Sequence, residues 1–307
     1  MKPVEKIKEF TGHAGGVYCL ERGRFAYTVF SGAADGMVGE WNLKSLEPSG
    51  FSVKMDSPVF ALLHVVEMHL LVAGLFNGHI HVIDLEEKKE VKHYQLPAKG
   101  IFTLFYDAWT KRLYAGGADG VLNVWNAETW EHMLSLPLCE GKIRKIMQGR
   151  NKQEMMVCCM DGSLRILETE FYNEVAKINT GNESVNAAML TDNEIFTVTK
   201  DARIKIYDRL VLAELNSIAA HNYGIYDIVW WGQNSCATCS RDKTIKVWDF
   251  NRLTEPLRID FKTFKGHTRS VNDLFVSEWN NYLISAGDDG KVMVWNRNNQ
   301  QIRKFEN

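Results

Sequence analysis

This sequence predicts an all-β chain built from seven copies of one four-stranded unit, and three observations carry that prediction. The segment Ser285-Ala-Gly-Asp-Asp-Gly-Lys-Val-Met-Val-Trp-Asn296 reads as a strand end, a tight turn at Asp289-Gly290 and a short apolar strand closing on Trp295. The pattern recurs upstream, as in Asp242-Lys-Thr-Ile-Lys-Val-Trp-Asp249, Asp201-Ala-Arg-Ile-Lys-Ile-Tyr-Asp208 and Asp119-Gly-Val-Leu-Asn-Val-Trp-Asn126. The turn residues Asp35, Asn77, Asp119, Asp161, Asp201, Asp242 and Asp289 fall about forty residues apart, the repeat length of a four-stranded propeller blade.

The first unit shows the order of elements. Residues 6–10 (Lys-Ile-Lys-Glu-Phe) alternate charged and apolar side chains, as a solvent-facing strand does. Gly12-His13 follows, residues 17–20 read as an inner strand, and residues 27–31 as the next. The Asp35-Gly36 turn then leads to a third strand over residues 38–41, and Asn42 opens a polar connection. Later inner strands open near Val59, Ile101, Ile143, Val185, Ile225 and Val271. In the last unit Val292 and Val294 face one way and Trp295 the other, so both sheet faces carry apolar weight. A lone sheet cannot hide both faces. Stacking it between two neighbours does, and closing the ring removes the need for caps.

On length alone 307 residues would make about two domains, but a closed ring of repeats makes residues 1–307 a single domain. An apolar fraction of 45% with 24% charged residues is that of a soluble globular chain. A formal net charge of -2 argues against nucleic-acid binding through a broadly basic surface. The apolar run over residues 60–76 is interrupted by His64, Glu67 and His69, and reads as two buried strands around a turn rather than a membrane span. Residues 1–10 have charges where a signal peptide needs an apolar stretch, and six scattered cysteines do not make a disulfide framework. The expectation is a reduced, cytoplasmic chain, favoured as a monomer, with no membrane contact.

The pairs Gly12-His13, Gly266-His267 and Trp248-Asp249, with Ala220-His221 and the Trp-Asn pairs as close variants, resemble the WD-repeat (WD40) family, and the resemblance covers essentially the whole chain. It implies a seven-bladed β-propeller in which one blade combines the first strand of the chain with the last ones. Residues 6–10 and 301–305 (Gln-Ile-Arg-Lys-Phe) both fit the outermost strand of the seventh blade. The N-terminal segment is the expected partner of the strand ending at Trp295, with the C-terminal tail packing beside it.

Three units carry a His, a hydroxyl, an Asp and a Trp in fixed register: His13/Ser31/Asp35/Trp41, His221/Thr238/Asp242/Trp248 and His267/Ser285/Asp289/Trp295. They mimic Ser-His-Asp triads. The resemblance implies instead a buried hydrogen-bond chain from the indole N–H through hydroxyl and imidazole to the turn carboxylate, a task these groups suit. A nucleophile needs an exposed hydroxyl beside an oxyanion hole, and threefold repetition does not fit one active site. No catalytic residue is expected. In the units near Asn77, Asp119 and Asp161 the hydroxyl is replaced by Ala73, Ala115 and Val157, and these blades, with the one near Asp201, are expected to be held by apolar packing alone.

Other constellations are weaker. His79 and His81 lie two apart on one strand face, close enough to share a metal, but the sequence supplies no third ligand at convincing spacing. His64 and His69 are near in sequence only. Cys236 and Cys239 have CxxC spacing inside a strand, where positions three apart point to opposite faces, and Cys158-Cys159 reads as buried strand. No phosphate loop or dinucleotide fingerprint is present. Neither metal nor cofactor is expected.

Function then rests on exposed residues. In WD repeats the usual binding face carries the residues flanking the first apolar residue of the inner strand and the residue before the turn Asp. Carried over, these include Tyr18, Phe60, Phe76 and Phe102 on three consecutive blades, then Lys142, Arg144, Met160, Lys200, Tyr226 and Arg241, with Asn272 and Asp288 on the last. Aromatic anchors beside arginines are hot-spot composition; the alternative is that some rings turn inward and plug the channel mouth. The expected function is a non-catalytic scaffold binding a protein or peptide. The alternative is an enzyme or small-ligand binder at the central channel, using Lys142, Lys200, Arg241 and Asp288.

Overall fold

The computed structural model describes residues 3–97 and 99–297. Each repeat folds as a four-stranded antiparallel sheet, and seven such sheets form the blades. In blade 1 the strands Val17–Arg22, Thr28–Ala33, Met37–Asn42 and Glu47–Lys54 follow one another from the inside outwards. The inner strands of blades 2–6 begin at Val59, Ile101, Ile143, Val185 and Ile225, where the apolar pattern places them. Blade 7 takes Val271–Val276, Leu283–Gly287 and Lys291–Arg297 from the end of the chain and Val4–Thr11 from its start. Val4 pairs with Arg297 and Phe10 with Val292, so the N-terminal strand closes the ring. Residues 301–305, expected beside it, lie outside the described residues.

The repeated turn has a local cause. Asp35 accepts a hydrogen bond from the Met37 N–H at 2.9 Å, Asn77 from His79 at 3.1 Å and Asp242 from Thr244 at 3.0 Å, each bending the chain back over two residues. Gly36 follows Asp35 at φ +73°, a conformation that costs a residue with a Cβ.

Packing occurs between blades rather than within them. Seven apolar clusters each join two neighbours around the ring. Val292 and Val294 pack with Val17, Val29 and Trp41 of blade 1, while Met293 and Trp295 pack with Ala237 and Val247 of blade 6. Each such fully buried aliphatic side chain contributes about 1.5–3 kcal/mol. The sheets approach closely: a Cβ on Gly74 would lie 2.6 Å from Ile101 Cγ2, and one on Gly116 2.5 Å from Ile143 Cγ2.

Blades 3–5 do not rely on apolar packing alone. Asp161 accepts from Arg165 at 3.3 Å, and Arg165 also donates to Glu174 at 2.6 Å. Thr103 Oγ1 accepts the Ile146 N–H at 3.0 Å, and Asn186 Nδ2 donates to the Ile225 carbonyl at 2.6 Å, both between blades. No helix among the described residues is long and apolar enough to cross a membrane.

Candidate functional site

One hydrogen bond, repeated in every blade, builds the rim. The N–H of the residue before the turn donates to the carbonyl just before the inner strand: Ala34 to Gly16 at 2.8 Å, Phe76 to Pro58 at 2.9 Å, Met160 to Lys142 at 2.9 Å and Asp288 to Ser270 at 2.9 Å. Lys200 to Ser184 and Arg241 to Gly224, each at 3.0 Å, continue the series. Both loops of a blade therefore stand at the same end of the ring, and the flanking side chains share one mouth.

At that mouth the aromatic residues form a continuous chain. Tyr18 meets Phe60 edge-on at 4.9 Å, Phe60 stacks on Phe102 at 5.2 Å and 20°, and Phe76 meets Phe60 edge-on at 5.4 Å. Lys142 Nζ lies 4.3 Å from the Phe102 ring centre, and the Arg144 guanidinium 5.8 Å from it. Such contacts hold the rings without hiding them. Tyr18, Phe60 and Phe102 are half-buried, whereas Phe76 is 52% exposed and Met160 45% exposed.

The basic residues divide into two groups. Arg144 turns into the mouth, where burial lowers its pKa and the Tyr226 hydroxyl lies nearby. Lys200 and Arg241 remain exposed on the rim, Lys200 at 3.7 Å from Glu183 and Arg241 over the Tyr223 ring at 5.9 Å. Asn272 is engaged structurally: its amide donates to the Val17 carbonyl at 2.9 Å and to Asp288 at 2.7 Å, tying blade 7 to blade 1.

Below the rings is a channel of about 680 Å³. Of the four charges named from sequence only Asp288 lines it; Glu21, Arg144, Lys145, Asp227 and Asp273 are the other charged residues there. Lys145 of blade 4 pairs with Asp227 of blade 6, and Asp273 accepts the Leu20 N–H at 2.7 Å. Burial, reinforced by Asp227, raises the Asp273 carboxyl well above the usual range. Burial also pushes Glu21 up to about 7. Lys145 stays charged: burial opposes it, but Asp227 and Asp273 outweigh that. The signal was a column in the repeat. Two residues after each opening apolar residue stand Cys19, Ala61, Thr103, Lys145, Ala187, Asp227 and Asp273.

The three His-hydroxyl-Asp-Trp sets lie in blades 6, 7 and 1, around the closure. His221 reaches Asp242 at 2.9 Å and Thr238 at 2.8 Å, and the Trp248 N–H donates to Thr238 at 2.8 Å. His267 lies 2.8 Å from both Asp289 and Ser285, which accepts from Trp295 at 2.9 Å. His13 lies 3.3 Å from Asp35 and 2.8 Å from Ser31, which accepts from Trp41 at 2.7 Å. Ser31, Thr238 and Ser285 are buried. Burial lowers the pKa of His13 and His221, keeping the rings neutral as hydrogen-bond relays.

Cys236 and Cys239 fall into cores on opposite sides of blade 6, and Cys158 and Cys159 on opposite sides of blade 4. His64 is buried against the Gly23 carbonyl at 3.1 Å, apart from exposed His69. His79 and His81 share a face, and His93 of the next strand joins them.

Comparison with known proteins agrees with this architecture. The family model described as "WD domain, G-beta repeat" matches residues 4–42, 213–249 and 260–296, the stretches that carry the three hydrogen-bonded sets. The chain is 26% identical to human cilia- and flagella-associated protein 52 over 192 residues, 60% of this chain and 30% of that protein. It is 36% identical to bovine coronin-2A over 92 residues, 27% of this chain and 17% of that protein. It is 20% identical to the striatin homolog of Dictyostelium discoideum over 317 aligned positions, 95% of this chain and 35% of that protein. The chain thus spans about a third or less of the length of each of these relatives. Three of the blades thus match the WD-repeat family model, and the seven blades close as a β-propeller.

Proposed function

We propose that this propeller is a non-catalytic scaffold that binds a protein or peptide segment on the rim formed by the inner-strand entries and the turns. The observation that carries the reading is the linked series Tyr18–Phe60–Phe102 with Phe76 half exposed beside it and Lys142 against its end. An aromatic surface on a rigid frame, flanked by exposed Lys200 and Arg241, fits an apolar segment with acidic neighbours. Arg144 serves as the floor between the two patches rather than as a free anchor.

The channel charges favour scaffold over enzyme. Lys145 pairs with one carboxylate oxygen of Asp227 and Asp273 accepts a backbone N–H, so these groups are engaged in holding the ring. The six thiols are free and mostly buried, which suits a reducing, cytoplasmic setting.

The Phe60→Ala/Phe102→Ala double variant tests the reading. It should lose a captured partner while keeping a cooperative unfolding transition. Undiminished capture by a folded double variant would rule the aromatic patch out. A nucleic-acid partner would instead reveal itself by steep salt dependence.

A further inference from the structure

Away from the mouth, on the side of blade 2 that faces blade 1, three imidazoles converge. His79 and His81 alternate on the strand His79–Asp84, and His93 stands directly opposite His81 on the outermost strand Lys89–Gln95. One ligand nitrogen from each lies within 4.8 Å of the others. The His81 and His93 rings stack at 4.6 Å, and His79 meets His93 edge-on at 4.8 Å.

A fourth ligand comes from the connection between blades 1 and 2. Asp56 places one carboxylate oxygen 3.2 Å from His79 Nδ1 and the other 3.6 Å from His81 Nε2. Both nitrogens are buried, and neither has a hydrogen-bond partner. The other His81 nitrogen, Nδ1, lies 3.0 Å from Glu90 and is suited to donate its proton there. Nε2 then faces the Asp56 carboxylate across 3.6 Å. A divalent ion held between these nitrogens and the carboxylate would satisfy all of them. A carboxylate behind a ligating histidine is also how metal sites fix the tautomer.

The turn residue supports the same geometry. Blade 2 has Asn77 where most turns have Asp, and its amide donates to Asp56 Oδ2 at 3.2 Å. An aspartate at this place would repel the carboxylate that Asn77 holds.

We propose that His79, His81, His93 and Asp56 bind one divalent transition-metal ion of the zinc class. Three imidazoles and a carboxylate suit zinc, at about 2.0–2.1 Å per ligand. Tetrahedral ligand atoms then stand about 3.4 Å apart. Small rotations of exposed His93 and of Asp56 bring the four atoms to that spacing. The bound ion braces the connection between blades 1 and 2 against the outer half of blade 2. It sits beside a cleft of about 510 Å³ lined by Phe51, Lys54, Lys89 and Glu90.

The test is calorimetric titration of Zn²⁺ into the tag-free full chain after chelator treatment. The expected result is one ion per chain with a submicromolar dissociation constant. His81→Ala and His93→Ala should each weaken it at least ~100-fold, and Glu90→Gln about 10-fold. His69→Ala, an exposed histidine of the same blade outside the cluster, should change nothing. Because His93 is exposed, His93→Ala retains the fold, which circular dichroism checks. Lack of binding at about 100 µM Zn²⁺, or affinity undiminished in folded His93→Ala, would overturn the site.

Discussion

Lys145 and Asp227 pair across the channel from blades 4 and 6, skipping blade 5. Asp227 is nearly fully buried, while about a third of the lysine side chain is exposed. Removing the cation leaves a buried carboxylate beside Asp273, so Lys145→Met should destabilise the protein by roughly 3 kcal/mol. Adding Asp227→Leu should recover most of that loss, since an apolar pair of similar volume tolerates burial. Urea midpoints of the two variants provide the check; a single variant as stable as wild type would mean that the pair carries no structural weight.

Glu21 gives a pH signature. Its folded carboxyl titrates at about 7 against an ordinary 4.5, because burial disfavours the charge. A raised folded value means that the stabilising contribution is complete below about pH 4.5 and is lost as pH rises through about 7. Glu21→Gln keeps a neutral group at all pH values. It should be near neutral at pH 4.5 and stabilise by roughly 1–2 kcal/mol at pH 8, discounted for residual solvent contact. An equal effect at both pH values would contradict the raised value.

The hydrogen-bonded sets predict opposite outcomes at two equivalent positions. Thr238→Ala strips the acceptor from Trp248 and the partner from His221, and should cost about 2–3 kcal/mol. In blade 3 the equivalent place is Ala115, and the buried Trp125 indole N–H has no partner. Ala115→Ser supplies that acceptor and should stabilise by up to about 1 kcal/mol. Thermal unfolding compares the two; a destabilised Ala115→Ser protein would show that crowding and desolvation of the hydroxyl, not the hydrogen bond, govern this position.

Much of the fold was legible because it is written locally. A Val or Ile opening each inner strand, an Asx turn and a Trp or its substitute recur in register, and the inner strands begin at those residues. The closure was expected from the resemblance to WD repeats, with residues 6–10 fitting the outermost strand. What is tertiary was not. His93 reaches His81 through cross-strand pairing that shifts register between Val82 and Ile83, so the sequence spacing conceals it. Lys145 and Asp227 lie 82 positions apart and meet because the ring curves. The rim residues were legible as positions, but the inward turn of Arg144 and the engagement of Asn272 with Val17 depend on packing that a repeat pattern does not encode.

The most direct test of the scaffold reading is binding of peptides selected from a random display library, read by fluorescence anisotropy. The selected peptides should be apolar with acidic flanks. Their affinity should fall at least ~10-fold on the exposed-surface variant Phe76→Ala/Lys200→Glu, whose unfolding stays unchanged. Selection of basic or featureless peptides, or equal affinity for the variant, would contradict a binding face on this rim.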